Sequence, residues 1–166
     1  TPREAPSTGV EVLLHFEEGE VEGGLATVER LNELGAQHGV GRGTHLGDTI
    51  LGLKGRIAFE APAAAILIDA HRELEKLVLT RWQMVQKDQL GSFYGQMLHE
   101  GQWFDPVMRD IEAFLASTQK AVTGDVRVHL EQGRVEVRGV RSRYSLVDEA
   151  AGRSGEENGL WTAQIG

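Results

Sequence analysis

Apolar and polar residues alternate from Val10 to Phe16, with Val10, Val12 and Leu14 on one face, and Gly19 and Gly23-Gly24 follow directly. A period of two that runs into glycines predicts a strand closed by a turn. The period then changes. Leu25, Val28, Leu31 and Leu34 recur at three-residue steps, which predicts an amphipathic helix stopping at Gly35 or Gly39. Thr49 to Phe59 has strand composition broken by Gly52 and Gly55, the pattern of a bent or bulged strand. Pro62 suits the first turn of a helix whose stripe is Ile66, Ala70, Leu74, Leu77 and Val78, extending toward Trp82 and Val85. A further stripe of Leu90, Phe93, Tyr94, Met97 and Leu98 stops at Gly101. Asp105-Pro106 reads as an N-cap followed by an N1 proline, opening a helix with Met108, Ile111, Phe114 and Leu115 facing inward. Alternation returns at Val126, Val128 and Leu130, and resumes after Gln132-Gly133 at Val135 and Val137, which predicts a hairpin.

Strands first, helices in the middle and a hairpin last give an α+β domain, not the alternating units of a doubly wound sheet. The expected organisation is a linker over residues 1–9, one domain over 10–141, and a loosely ordered or partner-packed tail over 142–166 with Trp161 as its only large anchor. The opening TPREAPSTG carries no Met and has linker composition, as in a processed chain or an excised domain. No internal repeat or low-complexity tract stands out.

One segment departs from ordinary core patterning. Seven glycines fall between residues 35 and 55 (Gly35, Gly39, Gly41, Gly43, Gly47, Gly52 and Gly55), interleaved with Arg42, Lys54 and Arg56. Glycine lets backbone approach a ligand closely and costs stability elsewhere, so the segment reads either as a loop shaped around an anionic group or as a tight structural connection. It lacks a Walker ending, and Gly39, Gly41 and Gly43 do not have dinucleotide-fingerprint spacing. Arg offers a bidentate fork and Lys a point charge for anions; Arg56 has an equal alternative in pairing with Glu60 or with an acid of another subunit.

Bulk properties narrow the field. With 166 residues, 40% hydrophobic and 25% charged, the chain has globular values for a single domain. A net charge of −8 argues against a nucleic-acid partner, because phosphate binding draws on surplus cations. The absence of cysteine excludes disulfides and thiol chemistry and is compatible with a cytoplasmic origin. The apolar run around Ala63 to Ile68 is too short to span a bilayer. Six histidines suggest a metal, but His38 and His45 are the only near pair and no HExxH exists. His71 reads as a boundary residue with a local hydrogen bond, and Glu73 and Lys76 as a solvated helix pair. No serine has nucleophile-elbow context. Trp82, Phe93, Tyr94, Trp103 and Phe104 fall on or beside helical stripes and suit core packing or a subunit interface.

The ordered series Asn32-Glu33-Leu34-Gly35, His38-Gly39-Val40-Gly41-Arg42, Gly52-Leu53-Lys54-Gly55-Arg56 and Phe59-Glu60-Ala61-Pro62 resembles the central stretch of the argininosuccinate synthase family. The likeness continues through Ala70-His71, Leu74-Glu75, the run from Glu100 to Pro106 and the hairpin, so it covers nearly the whole chain. It implies part of an ATP-dependent carbon–nitrogen ligase that adenylates citrulline, releases pyrophosphate, and lets aspartate displace AMP. Family members carry a Ser-Gly-Gly-x-Asp-Thr pyrophosphate loop that this sequence lacks, so ATP with Mg2+ is expected to be bound mainly by an absent N-terminal domain. This chain then corresponds to the synthetase and multimerisation domain of a homotetramer, inactive by itself. A non-catalytic assembly or regulatory module that retained the fold is the alternative.

Two departures bear on substrate. The family usually places a citrulline-binding Glu and Tyr where this chain has Gly47 and Phe59. Losing a carboxylate removes the natural partner of an α-ammonium group, a loss of about 2–5 kcal/mol when the charge is buried. Losing the phenol removes a hydrogen bond worth about 1 kcal/mol. The expectation is a substrate with an acylated, neutral α-nitrogen, such as N-acetyl- or N-succinyl-citrulline; the alternative is that Asp48 supplies the missing carboxylate. Candidate substrate-binding residues are therefore Gly47, Phe59, Asp48, Arg42, Lys54 and Arg56.

Overall fold

A computed structural model of the chain describes residues 4–147. β1 (Val10–Glu17) turns Val12, Leu14 and Phe16 into the core and Glu11, Leu13 and Glu17 toward solvent, as its alternation predicts. It pairs antiparallel with the short β2 (Glu20–Val21). Helix α1 (Gly24–Gln37) follows and buries Leu31 and Gly35. Two strands, β3 (Arg42–Asp48) and β4 (Lys54–Glu60), form a separate antiparallel ribbon. After three more helices, β5 (Gly124–Glu131) and β6 (Arg134–Arg141) complete a sheet of order β2-β1-β5-β6. Within it Val12 lies opposite Val128 and Leu14 opposite Val126. The β5–β6 turn holds Gln132 at φ 45° and Gly133 at φ 84°, the double positive φ of a two-residue hairpin with native twist.

The core lies between this sheet and α2 (Pro62–Val78), whose Ile66, Ala70 and Leu74 are fully buried. Each such large side chain contributes about 1.5–3 kcal/mol over its exposed state. Gly35 of α1 lets the start of α2 come close: a Cβ there would lie 2.6 Å from Pro62 Cβ.

The α2 stripe does not run on to Trp82 and Val85. Leu79 is extended (ψ 145°), and Thr80 caps a new helix, α3 (Arg81–His99). A reciprocal pair forms the cap: Gln83 N donates to Thr80 Oγ1 at 3.3 Å, and Thr80 N donates to Gln83 Oε1 at 2.9 Å. Those bonds, with the extended Leu79, win over the continuing apolar period. Helix α3 buries none of its residues. Met84 packs against the edge of the core, and polar ties add to it: Lys87 Nζ lies 3.0 Å from Glu75 Oε1, and Arg72 donates two 2.8 Å bonds to Asp88. Helix α4 (Pro106–Gln119) opens as predicted, with Asp105 Oδ1 accepting from Val107 N at 2.9 Å, and buries Met108 and Ile111.

Trp82, Phe93 and Phe104 are exposed rather than core residues, which leaves the interface alternative for them. The tail is described only to residue 147; Leu146 N donates to the Leu77 carbonyl at 2.9 Å, and the rest, with Trp161, lies outside the described residues. Among the described residues no helix is long and apolar enough to cross a membrane.

Candidate functional site

The glycine-rich segment is a β-ribbon. Its root is fixed at Gly41, where φ is 81° and the carbonyl accepts from Ala61 N at 2.8 Å. A Cβ at Gly41 would lie 2.5 Å from Pro62 Cα, so the ribbon joins the start of α2 with no side chain between them. The tip is the Thr49–Leu53 turn, closed by Thr49 N to the Leu53 carbonyl at 2.8 Å, and not the interior of a bent strand. The carbonyl of Asp48, just before the tip, accepts from Nε2 of His99 at the end of α3 at 3.1 Å.

An unbroken register decides which side chains share a face. Arg42 opposes Glu60, Leu46 opposes Arg56, and Asp48 opposes Lys54. Those pairs alternate with Gly43 opposite Phe59, His45 opposite Ile57, and Gly47 opposite Gly55. All six predicted site residues therefore lie on one ribbon but divide between its two faces. Gly47 and Phe59 share a face without Asp or Glu, Lys or Arg; Arg42, Asp48, Lys54 and Arg56 share the other.

On the charged face most groups have partners. Arg42 Nε lies 3.1 Å from Glu60 Oε1, and Lys54 Nζ lies 2.6 Å from Asp48 Oδ1. Arg56 has no ion-pair partner among the described residues; the Glu60 considered for it belongs to Arg42. Asp48 is turned away from the Gly47 face and held by Lys54, which makes it a poor substitute for a carboxylate at position 47. The uncharged face is occupied differently. A Cβ at Gly43 would lie 2.7 Å from Phe59 Cζ, and one at Gly47 would lie 2.4 Å from His45 Nε2. The Phe59 ring thus covers Gly43, and the His45 ring covers Gly47.

A second concavity, of about 410 Å³, lies on the body of the domain and is lined by Phe16, Leu67, His71, Glu75 and Lys87 among others. None of the six predicted site residues lines it. Its centre is Glu75, 1% exposed, whose Oε1 meets Lys87 Nζ, His71 Nδ1 at 3.6 Å and Gln119 Nε2 at 3.0 Å. Burial pushes the His71 imidazole below its ordinary pKa, against the attraction of the Glu75 carboxylate. The hydrogen bond expected of His71 is to Gln119 Oε1 at 2.9 Å, which comes from α4 and is not local. Sequence reasoning missed Glu75; its only signal was the four-residue spacing from His71 on one helix face. Among the described residues no group of three or more His, Cys, Asp or Glu could hold a metal ion.

The family model "Arginosuccinate synthase C-terminal domain" matches residues 6–162. The chain is 44% identical over 158 residues to the argininosuccinate synthase of Xanthomonas axonopodis pv. citri, covering 90% of this chain and 38% of that protein. To that of Chlorobium luteolum it is 41% identical, over 90% of this chain and 39% of the relative. To that of Methanocaldococcus jannaschii it is also 41% identical, over 83% and 34%. The chain thus spans less than two fifths of these relatives' length. With the family match running from the first strand through the C-terminal hairpin, the chain belongs to the argininosuccinate synthase C-terminal domain family.

Proposed function

We propose that this chain is the substrate-binding and oligomerisation part of an argininosuccinate synthase, a ligase of arginine biosynthesis in the cytoplasm that joins citrulline, in an N-acylated form, to aspartate while ATP is converted to AMP and pyrophosphate. The family match over residues 6–162 carries the reading. Among the described residues none cluster as metal ligands, and Arg42 and Lys54 are paired with Glu60 and Asp48, which leaves Arg56 as the free cation of the ribbon. In this reading ATP and Mg2+ are held mainly by the N-terminal domain of the full-length enzyme. What the chain contributes is the ribbon.

The choice of an acylated substrate is supported by the face that holds Gly47 and Phe59. A free α-ammonium group brought there would meet no carboxylate of that face of the ribbon, and a charge that substrate binding takes out of water without a partner is costly. An amide nitrogen carries no charge and needs none. The exposed aromatics Trp82, Phe93 and Phe104, and an α3 none of whose residues is fully buried, support the homotetramer.

The experiment is steady-state pyrophosphate release by the full-length protein with aspartate, ATP and either citrulline, N-acetyl-citrulline or N-succinyl-citrulline. The expected result is a higher kcat/KM for an N-acyl compound. Preference for free citrulline removes the acyl assignment, and no ligation with any of the three leaves the non-catalytic module.

A further inference from the structure

We propose that His45 is the specificity-determining residue of the ribbon: its imidazole occupies the space a side chain at position 47 would take, and its ring N–H donates to the acyl carbonyl oxygen of the substrate. The inference rests on the substrate reading above and assigns the recognition of that acyl group to one side chain.

The geometry is local and specific. His45 and Gly47 lie two apart on β3, so their side-chain directions coincide. A Cβ built on Gly47 would meet His45 Nε2 at 2.4 Å and Cδ2 at 3.1 Å. The ring therefore lies against the backbone of residue 47, which only glycine permits without moving it. Gly55, directly opposite Gly47, is bare in another sense: its Cβ would meet nothing nearer than Thr49 Cγ2 at 3.5 Å. Two facing glycines floor a notch, with His45 and its partner Ile57 forming the next cross-strand pair and Phe59 with Gly43 the pair beyond.

His45 is the only polar side chain among those six residues, and neither ring nitrogen has a partner among the described residues. A neutral imidazole presents one donor and one acceptor. An N-acyl group needs a donor for its carbonyl oxygen and apolar contact for its carbon, which His45 and Ile57 supply side by side. An ammonium group needs the opposite, an acceptor with negative charge, and this face has none. The glycine at 47 and the histidine at 45 thus act as one unit. A carboxylate introduced at 47 would displace the ring or pair with it, so that Gly47→Glu without a change at His45 restores little recognition of free citrulline.

The test is a double-mutant cycle in the full-length protein, reading kcat and KM separately for N-acetyl-citrulline and for citrulline. His45→Ala is expected to raise KM for N-acetyl-citrulline about five- to tenfold, the weight of one hydrogen bond, with kcat and the citrulline constants unchanged. His45→Gln, which keeps an N–H donor, recovers part of that loss. Gly47→Ala, which pushes the ring aside, raises the same KM but adds nothing in the His45→Ala background, a non-additivity that independent sites do not show. Gly47→Glu improves citrulline at least tenfold more when combined with His45→Ala than alone. If wild type prefers N-acetyl-citrulline while His45→Ala changes both substrates equally or neither, the role of His45 is overturned and the substrate reading stands. If wild type prefers free citrulline, both fall.

Discussion

Leu74 and Ile57 are large aliphatic side chains in very different settings: Leu74 is sealed between α2 and the sheet with none of its surface exposed, while Ile57 is 64% exposed on the ribbon. The body buries its apolar residues on one face of each element, and α2 lies on β5 and β6. The ribbon buries almost nothing on either face. Its order comes from the cross-strand ladder, the Gly41–Ala61 bond at the root and the His99 bond beside the tip. The difference separates stability from recognition, because side chains that do not hold a fold together are free to be chosen for what they touch. Substitutions in the two regions should therefore move different measurements.

The largest effect is expected at the body. Leu74→Ala should cost about 2–5 kcal/mol in denaturant unfolding, the usual range for a truncated core leucine, whereas Ile57→Ala should stay within about 0.5 kcal/mol. Equal costs would mean that the ribbon is packed in solution against something that covers Ile57. A second contrast lies inside the glycine series. Gly41→Ala forces a left-handed conformation on a residue with a side chain, about 1–3 kcal/mol, and also drives its Cβ into the backbone of Ala61 and Pro62. Gly55→Ala meets only ordinary contact at Thr49 and should change stability by less than about 0.5 kcal/mol. The first glycine attaches the ribbon and the second shapes its surface.

The body was far more legible in the sequence than the ribbon, for a physical reason. Val12, Leu14, Val126 and Val128 alternate because one sheet face is buried and the other wet, and Asp105-Pro106 announces a helix start by its own chemistry. The ribbon is exposed on both faces, so burial imposed no apolar alternation on it. Gly43, Gly47 and Gly55 have no side chain with which to mark a period. Thus the glycines of Arg42–Asp48 read equally well as a ligand loop or a tight connection, and Thr49–Leu53 reads as the inside of a strand. The six candidate residues do gather on one element, but their division between two faces depends on register, which no spacing discloses. The spacing of His45 from His38 suggests only a weak metal pair, and its place over Gly47 is visible only once the strand is formed. The Thr80–Gln83 cap is written in the sequence, but the apolar period that runs past it hides it.

Acidity gives a graded test of the body. The folded state holds His71 below its ordinary pKa because burial disfavours the imidazolium, while Glu75 and the Gln119 hydrogen bond favour it and Lys87 opposes it. As pH falls through about 6.5, the unfolded chain takes up a proton that the folded chain does not, so stability declines until the folded-state pKa is reached. His15 has the opposite sign: its bond to Asp125 raises its pKa, so its contribution is present below about 6.5 and fades as pH rises. Unfolding temperatures at pH 7.5 and 5.5 should drop less in His71→Gln than in wild type, and more in His15→Gln.

The smallest effect probes the ribbon's charged face. Lys54 and Asp48 meet at 2.6 Å, but their side chains are 69% and 60% exposed. Water and salt screen such a pair, so Lys54→Ala should change unfolding free energy by about 0–1 kcal/mol and by less still at 0.5 M salt. Arg56 differs because no acid among the described residues neutralises it. If one cation of this face binds an anionic group of the substrate, the unpaired guanidinium can do so without first breaking an ion pair. Arg56→Ala should therefore raise KM for the amino-acid substrates while leaving stability unchanged, and Lys54→Ala should leave both unchanged. The reverse pattern, with KM moving only in Lys54→Ala, would mean that the Lys54–Asp48 pair opens when substrate binds and that Asp48 is exposed by the same event.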